Sequence, residues 1–101
     1  MAATAYMEVF MAQVNIVDEW RKALGTQLKE ERRARDLSQD DLAALLGVHR
    51  RTVSDLETGN GKNLELLLTA FCVHLDVDFG LVAVKARQLV KAATIDLDAI
   101  E

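Results

Sequence analysis

The sequence predicts a mainly α protein: a bundle of four or five helices followed by a C-terminal β-strand that pairs across a dimer. Three observations carry this. Apolar residues recur at helical spacing from about Val17 to Leu75, no proline interrupts the 101 residues, and a period-two run begins at Leu75. Half of the residues are apolar and 28% are charged, a composition that favours an ordered globular chain over a disordered one. The expected organisation is an N-terminal extension over 1–16, a helical domain over 17–75, and a strand and tail over 76–101 for dimerisation or partner binding.

Residues 1–16 can be read in two ways. Met7, Phe10, Met11 and Val14 have helical spacing, whereas Tyr6, Phe10, Ala12 and Val14 fall on one side of an alternating strand. From about Val17 to Arg35 the pattern is helical, with Trp20, Leu24 and Leu28 every four residues. Lys29, Arg32, Arg33 and Arg35 crowd its last turns, where cations complement the helix dipole. Ser38 then stands as an N-cap, with Asp40 and Asp41 in the first turn of a short helix whose inner face is Leu42, Ala43 and Leu46. Gly47 ends it in a left-handed conformation, and Val48 packs back beneath the turn.

A third helix is expected from about Arg50 to Thr58, with Val53 and Leu56 inward and Arg50, Arg51, Ser54 and Asp55 elsewhere. Glu57 is placed to brace an arginine of the first helix, Arg32 or Arg33. After a loop at Gly59, Asn60 and Gly61, Asn63 caps a fourth helix, LELLLTAFCVHL, that is apolar nearly all round. A chain of this size struggles to bury all of that surface, so self-association is expected, with Leu66 and Val73 in the interface. Cys72, the single cysteine, is expected as a buried hydrophobe, and His74 as a packed or interfacial ring with no second metal ligand at zinc spacing.

Leu75, Val77, Phe79, Leu81 and Ala83 alternate with Asp76, Asp78, Gly80, Val82 and Val84, the period of a strand. A lone strand needs a mate for its backbone groups, either the N-terminal segment or the equivalent strand of a second subunit; the second option places Val77, Phe79, Leu81 and Ala83 at a dimer contact. Residues 86–101 hold Leu89, Val90, Ile95, Leu97 and Ile100 without a sustained period. They suit a short helix, packing on the dimer, or ordering on another protein.

Charge narrows the function. The formal net charge is −4, yet from Trp20 to Lys62 there are nine Lys or Arg against seven Asp or Glu, a local balance of +2, while the remainder carries −6. No basic segment precedes an apolar run as in a secretory signal, and the apolar runs are far shorter than the roughly 20 residues of a membrane span. A cytoplasmic protein without membrane association is expected. No nucleophile–base constellation, phosphate-binding glycine loop or metal cluster is present in the sequence, so neither an enzyme nor a cofactor is expected.

Two short helices joined through a glycine turn, with arginines opening the second, meet the requirements for laying a helix in the major groove of DNA. The series Leu37, Ser38, Gln39, Leu42, Ala43, Leu46, Gly47, Val48, Thr52, Val53, Ser54, Leu56, Glu57 and Gly59 resembles the helix-turn-helix of lambda-repressor-like (Cro/CI, XRE) regulators over about residues 24–75. The resemblance implies a homodimeric, sequence-specific repressor of a near-palindromic operator on double-stranded DNA. It implies that Gln39 contacts phosphate or a base, that Arg50, Arg51 and Asp55 take base-reading places, and that Thr52 holds a phosphate. Ser38, Ser54 and Lys62 complete the expected DNA-contacting set.

In isolation Arg50 and Arg51 would read as solvated helix residues. An arginine fork, however, matches the O6 and N7 acceptors of guanine. His49 departs from the family pattern, which often has a capping Ser or Thr there; it is either a neutral cap substitute or a contact that strengthens on protonation. The strand-like run LDVDFGLVAVKA resembles the C-terminal strand of HipB-type antitoxins. On that likeness a protein toxin is a second candidate partner, which the chain would neutralise while regulating its own operon.

Overall fold

The computed structural model describes the backbone of residues 2–93 and the side chains of residues 16–92. Among these residues the secondary structure is all helical. The helices are α1 (Ala2–Ala34), α2 (Gln39–Leu46), α3 (Arg50–Thr58), α4 (Leu64–Thr69) and α5 (Phe79–Ala93). No helix among the described residues is long and apolar enough to cross a membrane.

The expected stop and start signals act where the sequence puts them. Ser38 accepts from the Asp41 amide at 2.9 Å, while the Asp41 carboxylate accepts from the Ser38 amide at 2.9 Å, so two otherwise orphaned donors at the head of α2 are satisfied reciprocally. Gly47 (φ 69°) and Gly59 (φ 82°) take the left-handed conformation that ends α2 and α3. Asn63 caps α4 by accepting from the Leu66 amide at 3.0 Å. Beyond α4 the helix continues through Ala70–His74 with wider turns, the Leu75 amide reaching the Ala70 carbonyl at 2.9 Å.

One cluster gathers side chains from all five helices: Leu28 of α1, Leu42 and Ala43 of α2, Val53 and Leu56 of α3, Leu67, Ala70 and Phe71 of α4 and its extension, Leu75 just after it, and Val82 of α5. Phe71 meets Phe79 edge-on, with ring centroids 5.8 Å apart. A second, smaller cluster joins Ala23 to Ala86 and Val90, with Ile16 and Trp20 packed against it. Val82 thus shares the larger cluster with Leu28, and Ala86 and Val90 share the smaller one with Ala23, so α5 packs along α1.

Three expectations change here. The segment expected as a strand is the loop 75–78 and the first turns of α5. Asp78 starts that helix: its carboxylate accepts from the Gly80 amide at 2.8 Å and its carbonyl from the amides of Leu81 and Val82. The alternation was compromised by Val82 and Val84, which left GLVAVKA readable with either period. The four-residue spacing of Val82, Ala86 and Val90 prevails because it buries all three against α1 and the core, and a helix satisfies its own backbone without a second strand.

The interface expected on the strand is therefore dispersed. Leu66, Val77 and Phe79 pack against the chain's own core, Ala83 is half-buried, and Val73 and Leu81 stand 68% and 61% exposed. Cys72 is exposed rather than buried, because the widened turn directs Ala70 and Phe71 inward and leaves Cys72 and Val73 outside. Residues 1–16, open between helix and strand in the sequence, are helical from Ala2 within α1. The readings made for residues 94–101 lie outside the described residues.

Gly25 has no signal in the apolar pattern yet fixes the crossing of α1 and α3. A Cβ there would meet the Leu56 carbonyl oxygen and lie 2.6 Å from that of Glu57, both backbone atoms that cannot swing aside. Gly25→Ala should therefore destabilise the fold despite its better helix propensity, by about 1–3 kcal/mol from overpacking, read as a lowered urea midpoint at unchanged slope.

Candidate nucleic-acid interface

The interface is built on a buried ion pair. Arg32 of α1 and Glu57 of α3 are each 6% exposed. The Arg32 fork donates Nε to Glu57 Oε2 at 2.6 Å and Nη2 to Oε1 at 3.1 Å, a bidentate arrangement. Its Nη1 donates to the Leu37 carbonyl at 2.7 Å, which ties the loop before α2 to the same guanidinium. Arg32, not Arg33, thus answers Glu57, and the pair is a core element rather than a surface brace.

From there a chain of hydrogen bonds runs outward. Gln39, the first residue of α2, donates Nε2 to Glu57 Oε1 at 3.1 Å and accepts from Arg50 Nε on Oε1 at 3.3 Å. Its two ends are told apart by their partners, Glu57 taking a donor and Arg50 needing an acceptor. Arg50 is exposed at the head of α3, so a surface cation is oriented through two polar side chains from inside the core.

Around this chain lies an open cleft of about 450 Å³, lined by Lys29, Arg32 and Arg33 of α1, Ser38, Gln39 and Asp40 at the head of α2, and Arg50. Of the expected residues, Ser38, Gln39 and Arg50 meet here. Arg51 is exposed on α3 beside Arg50, Thr52, Ser54 and Asp55 are half-buried on the same helix, and Arg51 and Asp55, four apart, share a face. Lys62 lies apart, by a groove on another side of α3. Lys29 and Arg33 join the cleft although neither was among the residues expected to contact DNA, the helix dipole accounting for only one or two of the four bases near the end of α1. Their spacing of four on the face that also carries Arg32 was the available signal.

His49 occupies the N-cap of α3 in extended conformation and makes no side-chain capping bond. The Thr52 amide instead reaches the His49 backbone carbonyl at 2.9 Å. An imidazole thus holds a position where a hydroxyl would close the first turn, and its ring is exposed.

A family model described as a helix-turn-helix domain matches residues 23–84, well over half of the chain. The chain belongs to the helix-turn-helix domain family. Within it, a protein of Methanospirillum hungatei classed as an HTH-type transcriptional regulatory protein is 48% identical over 44 residues, which make up 44% of this chain and 14% of that protein. The chain thus corresponds to a small part of that relative's length. The crystal structure of the clp gene regulator ClgR from Corynebacterium glutamicum superposes with a TM-score of 0.65 at 28% identity, covering 80% of this chain and 88% of the other. The XRE-type resemblance read from the motif is consistent with this helix-turn-helix assignment.

Two consequences can be measured. Glu57→Ala leaves the Arg32 guanidinium buried without its partner and should cost about 3–5 kcal/mol in chemical denaturation, whereas Glu31→Ala, which breaks an exposed pair with Arg35, should cost well under that. The Asp41 carboxyl is held below its ordinary value, first by the Ser38 amide and then by the Ser38 hydroxyl. A lowered carboxylate contributes stability above its unfolded value and loses it as pH falls through the folded value. Asp41→Asn should therefore flatten the acid end of the stability profile below about pH 4 and leave the neutral range otherwise parallel.

Proposed function

We propose that the chain is a DNA-binding transcriptional regulator that acts as a homodimeric repressor on a near-palindromic operator. The observation that supports this most is the exposed arginine pair opening α3, with Arg50 oriented through Gln39 from the buried Arg32–Glu57 pair. A guanidinium already held in place loses less freedom on binding, so more of its hydrogen-bond energy is left for discrimination. In this reading α3 enters the major groove with Arg50 and Arg51 as base readers, each worth roughly 1–3 kcal/mol against the wrong base. Asp55 and Ser54 follow on the next turn.

Phosphates flank this contact. Lys29, Arg33, the head of α2 at Ser38 and Gln39, the N-terminal amides of α3 by His49 and Thr52, and Lys62 are the groups that can accept them. The negative total does not oppose this binding, because Lys29, Arg32, Arg33 and Arg50 line one cleft while the excess acids lie outside the segment from Trp20 to Lys62.

The outer surface of α5 and the end of α4, where Val73, Leu81 and Val84 are exposed, takes the dimer contact that the sequence had assigned to a strand. Two recognition helices would then lie about one DNA turn apart, roughly 34–36 Å. The antitoxin alternative rested on the likeness of the segment after residue 75 to a pairing strand; that segment leads into α5, and no other observation favours a toxin partner.

Selection of bound fragments from a random DNA library at stated salt should enrich a palindrome, and enrichment of none would count against the whole reading. On the selected operator, Arg50→Ala or Arg51→Ala should relax the base preference at one position per half-site. Lys29→Ala or Arg33→Ala should instead weaken all sequences alike and reduce the slope of log K against log salt by about 1 per phosphate lost. For the dimer, Leu81→Glu should raise the monomer fraction in sedimentation and lower operator affinity together; an unchanged dimer would remove α5 from the interface.

A further inference from the structure

Asp55 has no local structural reason to be an acid. It is the sixth of the nine residues of α3, past the first turn where the helix dipole favours negative charge, and it caps nothing. Arg51 stands four residues before it on the same face, yet the two make no ion pair, and neither side chain has a hydrogen-bond partner among the described residues. A base placed N-terminal to an acid at this spacing is the weaker order for pairing. The main chain of Asp55, by contrast, is pinned. Its carbonyl accepts from the amides of Asn60 and Gly61, both at 2.9 Å, and from the Thr58 hydroxyl at 3.2 Å. A half-buried carboxylate is thus held in place with its own hydrogen-bonding capacity unused.

The free groups on this helix differ in kind. Arg50 has its Nε committed to Gln39 and offers its Nη groups, while Arg51 offers its whole guanidinium. All of these donate. The Asp55 carboxylate only accepts, so it meets a base edge favourably only where the base presents a donor. In the major groove that donor is the N4 amino group of cytosine or the N6 amino group of adenine, and in adenine the adjacent N7 lone pair repels a carboxylate. Guanine presents only acceptors there, and thymine an acceptor beside a methyl group. Four residues of helix advance about 6 Å and stacked base pairs lie about 3.4 Å apart, so with α3 along the groove Arg51 and Asp55 fall one or two base pairs apart.

We propose that Asp55 is a specificity-determining residue that accepts from cytosine N4 within one or two base pairs of a guanine bound by Arg51, so that each operator half-site has a G·C-rich core. The inference rests on the reading of α3 as the helix in the major groove and names what that helix selects. A carboxylate brought among phosphates is repelled by every sequence, and only a cytosine amino group in the right place offsets the repulsion. Asp55 therefore acts largely by rejecting the other bases.

Selection from a random DNA library, run in parallel on the full wild-type chain, Asp55→Asn and Asp55→Ala, tests this, with circular dichroism showing equal helicity in all three. The wild type should select a palindrome with one cytosine per half-site preferred about tenfold or more. Asparagine presents an acceptor and a donor together, the pattern that pairs with adenine N6 and N7, so Asp55→Asn should move that one position from cytosine to adenine. Asp55→Ala should level the same position to within about twofold and tighten binding to unrelated sequence. A palindrome without such a cytosine overturns the proposal, and so does a cytosine that survives both substitutions. Loss of preference at the guanine position instead overturns it too, since Asp55 would then only support Arg51. In each of these results the palindrome persists and the operator reading stands, whereas a wild type that selects no palindrome removes that reading and the role of Asp55 with it.

Discussion

The buried pairing of Arg32 with Glu57 is the interaction on which the rest of the arrangement depends. Two charges removed from water cost several kcal/mol each, and their attraction repays this only when geometry is good and the remaining donors are used. Here the fork is bidentate and its third contact goes to the Leu37 carbonyl. Apolar side chains of equal volume could hold α1 to α3 as tightly. They could not fix the loop before α2 and the orientation of Gln39 at the same time, and what the pair supplies is direction more than stability.

That direction is set within a small core. A single cluster draws on all five helices, and Gly25 lets the α1 backbone approach α3 closely enough for Arg32 to reach Glu57. The α5 helix then lies along α1, so the long first helix is held on one side by the helix-turn-helix unit and on another by α5. Displacement of α1 would be felt at Arg50 through Glu57 and Gln39. The same helix also carries Trp20, whose ring belongs both to the packing against α5 and to the wall of the groove beside Lys62.

Local chemistry accounts for what was legible beforehand. Ser38, Gly47, Gly59 and Asn63 each satisfy or terminate a helix through their own atoms and immediate neighbours, so their roles could be read one residue at a time. Val53 and Leu56 were inward by spacing, and both are buried. Cys72 failed because spacing alone does not reveal a widened turn, and the strand failed because an apolar run with both periods is decided by its neighbours. Asp78, two residues before Gly80, was a local helix-start signal that the alternation masked.

The sequence alone determined the two helices of the helix-turn-helix, where each begins and ends, and the arginines at the head of the second, because these depend on contacts within a few residues. Tertiary structure decided that α5 is a helix, that Arg32 rather than Arg33 meets Glu57, and that Gln39 links this pair to Arg50. The physical reason is separation along the chain: Arg32 and Glu57 are 25 residues apart and Gln39 and Glu57 are 18, and only the folded crossing of α1, α2 and α3 brings their polar atoms within hydrogen-bond reach.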